Sequence, residues 1–481
     1  MAYTVIWVIL LVLLAVWVLV LCIRAARLKP EVLPEETAPE MHFDREKAVR
    51  DLQTLIRFRT VSHEDQRLDD DTQFEELIAS LPALFPHVHE VCTFTMPGPR
   101  SLVFHWKGTK HDKPGVLMAH FDVVPVDESG WDKPAFEGII EDGVLWGRGT
   151  IDTKCTFLGV LEAADNLIAQ GYTPSQDLYL CFSGTEEVNG DGAPAIIRWF
   201  KEQHLRLDFV LDEGGAIVEN VFPGVKKPVA VVGIAEKGTM SVRLSVPTGG
   251  GHASTPPAMS SIGRLARAVR RIEDHPFPAH LSDAAESTFL GMSKHAPFAL
   301  RLLFANLWCF RPLLYLACRL MGGELNALVR TTVAFTQMQG SSAFNVMPPN
   351  PHMVCNVRIN SDETTGTVME RLRSVIHDDK IALDMPFGRD PSPTSTICDA
   401  PWKRLEQAVH MEYPGTVVTP YLMLASSDSW NYCGLSDRVY RFSPMPMSKE
   451  ERGMIHGNNE RIPLTSIHSI VSFYMRLIQM C

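Results

Sequence analysis

Five short contexts along this chain carry side chains that bind cations or move protons: His120 in AHFD, Asp152 in GRGTID, Glu186 and Glu187 in SGTEEV, Asp212 and Glu213 in LDEGG, and His456 in IHGNNE. Imidazole combined with carboxylate suits zinc or a similar borderline cation, and an aspartate shared by two ions holds them about 3.5–4 Å apart. Zinc is therefore the expected metal, with manganese and cobalt fitting the same donors. Each context is weak alone, since an isolated Glu–Glu pair is ordinarily a solvated turn. Together they supply the ligand set of a two-metal hydrolase, which points to an enzyme.

The segments that precede these groups explain how they could meet. GVLMAHFDVVP puts His120 directly after an apolar run, DLYLCFSGTEE does the same for Glu186 and Glu187, and LDFVLDEGG for Asp212 and Glu213. Short apolar runs of this kind read as buried strands, whose ends would deliver all three groups to one edge of a sheet. Unpaired charge in such a place is costly, so a partner or a metal is expected. Around them, residues 44–58 carry Ala48, Leu52, Leu55 and Ile56 at helical spacing, Leu102–Trp106 and Gly115–Met118 read as strands, and helices are expected near 74–84 and 155–170. Strand–loop–helix succession predicts an α/β sheet with its site at the strand ends.

Composition bounds the rest. A chain of 481 residues, 46% hydrophobic and 21% charged, has core enough for two or more domains. A formal net charge of −11 without a dense Lys/Arg cluster excludes a nucleic-acid partner, which needs a basic face. Residues 1–23 differ from the remainder: Ala2 to Ile23 has no charge and reaches the ~20 residues that cross a bilayer. The first cations, Arg24, Arg27 and Lys29, follow the apolar run instead of preceding it, so an uncleaved single-pass membrane anchor is expected. Cleavage near Ala25 and Ala26, leaving a secreted, extracellular or lumenal protein, is the competing reading. The trailing cations would place the body in the cytosol by the positive-inside rule, and a lumenal or exterior body stays open beside that reading. The ten cysteines form no CxxC pair and assign no compartment. Residues 24–43 read as a linker, rich in Pro and Glu between Lys29 and Met41.

Six ordered motifs carry a family resemblance: HFDVVPV at 120–126, WGRGTIDTK at 146–154, EEV at 186–188, DEGG at 212–215, GGHAS at 250–254 and HGNNERI at 456–462. From about residue 44 to the C-terminus the chain resembles the metallopeptidase M20 family. The apolar N-terminus, the length and YRFSPM at 440–445 most resemble its carboxypeptidase S and N-fatty-acyl-amino acid synthase/hydrolase branch. That resemblance implies a zinc-exopeptidase-like α/β catalytic domain with a mixed sheet, in two parts (44–237 and 360–481), interrupted by a smaller α+β, ferredoxin-like lid and dimerisation domain (238–359). It implies two zinc ions per subunit, one held by His120, Asp152 and Glu213 and the other by Asp152, Glu187 and His456. Glu213 is placed ahead of Asp212 because the family's ligand is usually the acid before the glycine, and Asp212 is the alternative.

The remaining roles follow from the same resemblance. Glu186 is the expected general base on the attacking water and proton donor to the leaving amine. Asp122, two residues after His120 in extended chain, would fix the tautomer of that imidazole. His252 would contact the oxyanion, across the interface of a homodimer formed through the lid, and Asn345 and Arg358 would bind the substrate's carboxylate. In the lid, Ile262, Leu265, Ala266, Val269 and Ile272 form an apolar helical stripe. The insertion at 296–321 is mostly apolar but broken by Arg301, Arg311, Pro312 and Arg319, too short in each half to span a bilayer. It suits an interfacial helix or an acyl-chain groove. Two departures from the family pattern stand out: Thr185 where many members have Asp, and Trp430 in SSDSWNY where Arg is common. The expected substrates are small molecules, namely N-fatty-acyl amino acids hydrolysed or formed reversibly. The alternatives are a carboxypeptidase on small peptides, or an inactive membrane-anchored binding protein, against which the presence of Glu186 argues.

Overall fold

The computed structural model describes residues 2–30, 32–35, 38–220, 222 and 224–481. Positions 31, 36 and 37 of the expected linker lie outside the described residues. The main body is a mixed sheet whose strands run in the order Thr93–Gly98, Ser101–Trp106, Gln176–Ser183, Lys110–His120, Phe209–Asp212, Val439–Arg441, Val229–Glu236 and Val417–Met423, with Ile217–Val218 beside Val229–Glu236. The three strands that precede the chemical groups are central, adjacent and parallel. His120 registers with Ser183, and Leu117 with Leu211. Their C-terminal ends therefore share one edge, as their apolar runs predicted.

Two helices cover one face. Lys154–Ala169 is buried nearly all round and packs against Leu464–Gln479 through Phe157, Leu161, Ile470 and Tyr474. A Cβ on Gly159 would stand 2.3 Å from Ile470 Cγ2, so the close approach of these helices requires glycine there. On the other face Gly192–Glu202 buries Ile196 and Phe200 against Tyr179 and Val210.

A second, separate core lies under a four-stranded antiparallel sheet ordered Thr332–Gln339, His352–Ile359, Gly238–Ser245, Ala382–Arg389. Helices Ser261–Asp274 and Thr365–Ile376 close it with Leu265, Ala268, Ile272, Val368 and Leu372. Ala268, not Ala266, faces inward. The expected limit at residue 359 falls inside this unit. The helix after it and the strand Ala382–Arg389, paired with Gly238–Ser245, belong to the same sheet and core, so the second crossing to the main body comes after Arg389.

The apolar insertion also sits elsewhere than expected. Phe304, Leu307, Leu314 and Cys318 join the main core with Phe222 and Phe289, and helix Asp283–Ser293 packs on strand Val417–Met423. The insertion is thus sequence of the second unit packed on the first, because its apolar side chains complete the core at the sheet's far edge. The N-terminal helix spans Ala2–Arg27, four residues beyond the expected anchor. It is the one described helix long and apolar enough to cross a membrane.

Candidate metal centre and active site

At the shared strand edge two groups of ligand atoms form. His120, Asp152 and Glu213 make one and Asp152, Glu187 and His456 the other, with the ligand atoms of each within 4.8 Å of one another. Asp152 belongs to both. Its Oδ1 lies 3.0 Å from His120 Nε2 and its Oδ2 3.1 Å from His456 Nε2, which is itself 3.0 Å from Glu187 Oε2. Asp212 joins neither group. Its Oδ2 accepts a hydrogen bond from Ser429 N at 3.0 Å, on the other side of the strand end. Glu213 is aimed by the two glycines that follow: Gly214 has φ +132°, and a Cβ on Gly215 would fall 1.9 Å from Val231 O. Only glycine lets this turn lie flush on the neighbouring strand.

Asp122 is fully buried and does two things. Its carboxylate lies 3.4 Å from His120 Nδ1, whose nearer partner is the Asp122 carbonyl at 3.1 Å, so the imidazole is held from the same residue twice. The same carboxylate accepts the backbone N–H of Glu186 and of Glu187, each at 3.1 Å, and so sets the 3₁₀ turn Glu186–Val188 in place. Thr185, the departure noted above, is buried, and its Oγ1 accepts from Gly192 N at 2.9 Å to close the loop behind that turn.

Glu460 was not anticipated. It is wholly buried, and its carboxylate accepts four hydrogen bonds: Arg148 Nη1 at 2.7 Å and Gly149 N at 3.0 Å on Oε2, Ile151 N at 2.7 Å and Asp152 N at 3.1 Å on Oε1. Arg148 also donates to Gly457 O at 2.8 Å. One carboxylate thus ties the Asp152 loop to the His456 loop, more than 300 residues away along the chain. Its signal lay within HGNNERI, yet a glutamate in a polar turn is indistinguishable by sequence from a solvated one. Asp428, between Ser427 and Ser429 in SSDSWNY, is a second such group: buried, with Oδ2 unpartnered and its carboxyl pushed up to about 7 by burial and by Asp212.

Electrostatics mark the cluster as built for added positive charge. Burial, reinforced by Asp152 and Asp212, pushes the Glu213 carboxyl well above the usual range. Burial does the same to Glu186, with His120 opposing and Asp428 and Glu187 adding to the shift. Burial opposes charge on His120, but hydrogen bonds to Asp122 and Asp152 outweigh it and lift its pKa. Glu187 Oε1 is buried without a hydrogen-bond partner. Carboxyls pushed up by burial and an orphaned acceptor around one imidazole-flanked aspartate fit a pair of divalent cations, which would favour the ionised carboxylates and supply the missing contacts.

The substrate residues expected in the lid are not brought to this cluster. His252 and Asn345 sit together on an exposed ribbon, where Gly251–His252 pairs with Val346–Met347 and Ala253 N donates to Asn345 O at 3.1 Å. The His252 Nδ1 lies 2.7 Å from Ser254 Oγ. Arg358 is nearer: its Nη1 donates to Ser426 Oγ at 3.4 Å, in the loop whose Ser429 holds Asp212. Trp430 lies under the Arg389 guanidinium, 5.2 Å from the ring centre, and donates to Asp390 O at 3.0 Å.

Comparison with known proteins places the chain in a family. The model of peptidase family M20/M25/M40 matches residues 116–480. The chain is 34% identical over 447 residues to the N-fatty-acyl-amino acid synthase/hydrolase PM20D1 of Xenopus tropicalis, covering 91% of this chain and 86% of that protein. It is 33% identical over 476 residues to the probable carboxypeptidase S-like 2 of Dictyostelium discoideum, covering 95% and 90%. Among solved structures it is similar to an M20 family metallo-carboxypeptidase from Sulfolobus solfataricus (TM-score 0.66, 15% identity, 90% of this chain and 98% of that one). It is also similar to the YXEP protein of Bacillus subtilis, a dinuclear metal-binding peptidase (TM-score 0.56, 11% identity, 90% and 97%).

Proposed function

The chain belongs to peptidase family M20/M25/M40 and is a metallohydrolase of amide bonds, and on that premise we propose that it hydrolyses, and reversibly forms, N-fatty-acyl amino acids at a two-zinc site. His120, Asp152 and Glu213 would hold one ion and Asp152, Glu187 and His456 the other, their mixed imidazole and carboxylate donors suiting zinc. Such ions, when bound, lower the pKa of a coordinated water towards about 7 and polarise the scissile carbonyl. Glu186, set beside Glu187 by the Asp122 carboxylate, takes the proton of the attacking water and delivers it to the leaving amine nitrogen. In the synthetic direction the same carboxylate removes a proton from the attacking amine. Asp122 orients the His120 ring throughout. In a homodimer His252 and Asn345 would reach the partner subunit's site together on their open ribbon, His252 meeting the developing oxyanion and Asn345 joining Arg358 of that site on the substrate's carboxylate. The N-terminal helix anchors the enzyme in a bilayer.

The observation that carries this reading is the presence of Glu186 next to two complete ligand groups that share Asp152. The acyl specificity draws on the 34% identity to the Xenopus tropicalis protein. The 33% identity to the Dictyostelium discoideum carboxypeptidase S-like protein supports a second reading, hydrolysis of small peptides. A panel of N-acyl amino acids from acetyl to oleoyl, run beside dipeptides, separates them. Affinity should rise with chain length, by up to ~0.8 kcal/mol per buried methylene, and a preference for dipeptides or acetyl substrates overturns the acyl reading. Glu186→Gln should keep its metal and lose about 10²–10⁴-fold in turnover. Full activity of that variant rules out the assigned base.

A further inference from the structure

The helix pair Phe298–Phe304 and Leu307–Met321 is apolar on two opposite sides. Leu307, Leu314 and Cys318 are buried in the main core. On the far side Leu313, Leu316 and Leu320, spaced to share one helical face, are 52%, 53% and 78% exposed, and Trp308, 57% exposed, stands on the flank between that face and the buried one. A soluble surface rarely leaves such a continuous row uncovered.

The base of the N-terminal helix shows what covers it. Leu21 and Ala25 are buried, and this end of the helix packs on Phe298–Phe304. Three hydrogen bonds fasten it to the first insertion helix and to the elbow after it. Asn306 Nδ2 donates to Leu21 O at 3.1 Å, Arg24 Nε donates to Ala305 O at 3.0 Å, and Arg301 Nη1 donates to Leu28 O at 3.3 Å. The elbow is therefore tied to residues 21–28, where the uncharged run ends at Ile23 and the cations begin. In a spanning helix those residues lie at the boundary between hydrocarbon and headgroups, and at 1.5 Å per residue they cover only about 10 Å. The second insertion helix leaves the first at 105°, so the pair makes no straight span. Its 15 residues reach only about 22 Å, short of the ~30 Å hydrocarbon thickness. Phe298–Met321 holds no acidic residue, while Arg301, Arg311 and Arg319 and a tryptophan give the composition of an interfacial helix.

We propose that the Leu307–Met321 helix lies on the bilayer surface, its Leu313/Leu316/Leu320 row in the acyl boundary and Trp308 on the flank at the headgroup level, beside the exit of the N-terminal helix. The partner is the lipid surface itself. This rests on the reading of the N-terminal helix as a membrane span. It makes the protein doubly attached: a span, and a helix laid flat at its base that fixes how the body stands on the membrane.

The test uses the full chain carrying Trp7→Phe and Trp17→Phe, one copy per phosphatidylcholine nanodisc, with and without Trp308→Phe. Lipids brominated near the headgroup end of the acyl chain should quench the Trp308-dependent emission, and lipids brominated near the chain end should quench it less. Combining Leu313→Ser, Leu316→Ser and Leu320→Ser should weaken that quenching several-fold while the chain still resists alkaline carbonate extraction. A carbonate-resistant chain whose Trp308 is not quenched overturns the proposal and leaves the anchor standing. Protection of Trp308 only with two copies per disc also overturns it, in favour of a contact between copies. A chain that carbonate removes overturns both readings.

Discussion

Glu460 offers the sharpest test of how this site is held. Its carboxylate, wholly buried, accepts four hydrogen bonds at 2.7–3.1 Å, two on each oxygen. In Glu460→Gln one oxygen becomes an amide NH₂, which faces two donors with a third. Each buried donor left unpaired costs about 1–3 kcal/mol, so the two cost about 2–6 kcal/mol. Reckoned instead as a buried ion pair with Arg148 that loses one partner, the loss is about 3–5 kcal/mol. The two routes agree near 3–5 kcal/mol, a large share of a domain's stability. Asp152 N is among the four donors, and Asp152 serves both ligand groups, so metal affinity and kcat/KM should each fall about 10–100-fold. The assay is urea unfolding of the detergent-solubilised full chain, with metal content measured on the same preparation. A Gln variant within about 0.5 kcal/mol of the parent, carrying full metal, refutes the assignment.

Asp122→Asn keeps one acceptor for two backbone donors, Glu186 N and Glu187 N, and should cost about 1–3 kcal/mol with a 10–100-fold loss of metal affinity, read by metal titration. In the metal-free protein the His456 imidazole is pushed up to about 10 by hydrogen bonds to Asp152 and Glu187. A raised folded pKa means this contribution to stability is complete below the unfolded value of ~6.5 and is lost as pH rises through about 10. Metal must displace that proton, so metal affinity should rise with pH across this window, with proton release visible by calorimetry in buffers of different ionisation heat; pH-independent affinity speaks against it. Gly215→Ala forces a Cβ to 1.9 Å from Val231 O and should cost about 3 kcal/mol while shifting Glu213, measurable as a lower unfolding midpoint and reduced metal content.

The residue types of the site, their strand-end contexts and the apolar N-terminal run were all legible in the chain, because each depends on a local pattern. Alternation and apolar runs specify strands, and a polar group at the end of a buried strand is conspicuous. The central trio of parallel strands, with His120 and Ser183 in register, follows that reading closely. What depended on distant parts of the chain did not show. Successive side chains at a strand end point to opposite sides. Asp212 therefore turns to Ser429 while Glu213 turns to Asp152, and only the packed sheet says which side holds the site. Glu460 reads as an ordinary turn glutamate until the fold buries it against Arg148 and three backbone amides. The second core extends to the strand ending at Arg389 because pairing with Gly238–Ser245 adds a fourth strand across a long sequence gap. Likewise the apolar stretch 296–321 fits equally against either unit by composition. Contact with Phe222, Phe289 and the base of the N-terminal helix assigns it to the main body, since burial is decided by shape and neighbours rather than by hydropathy alone.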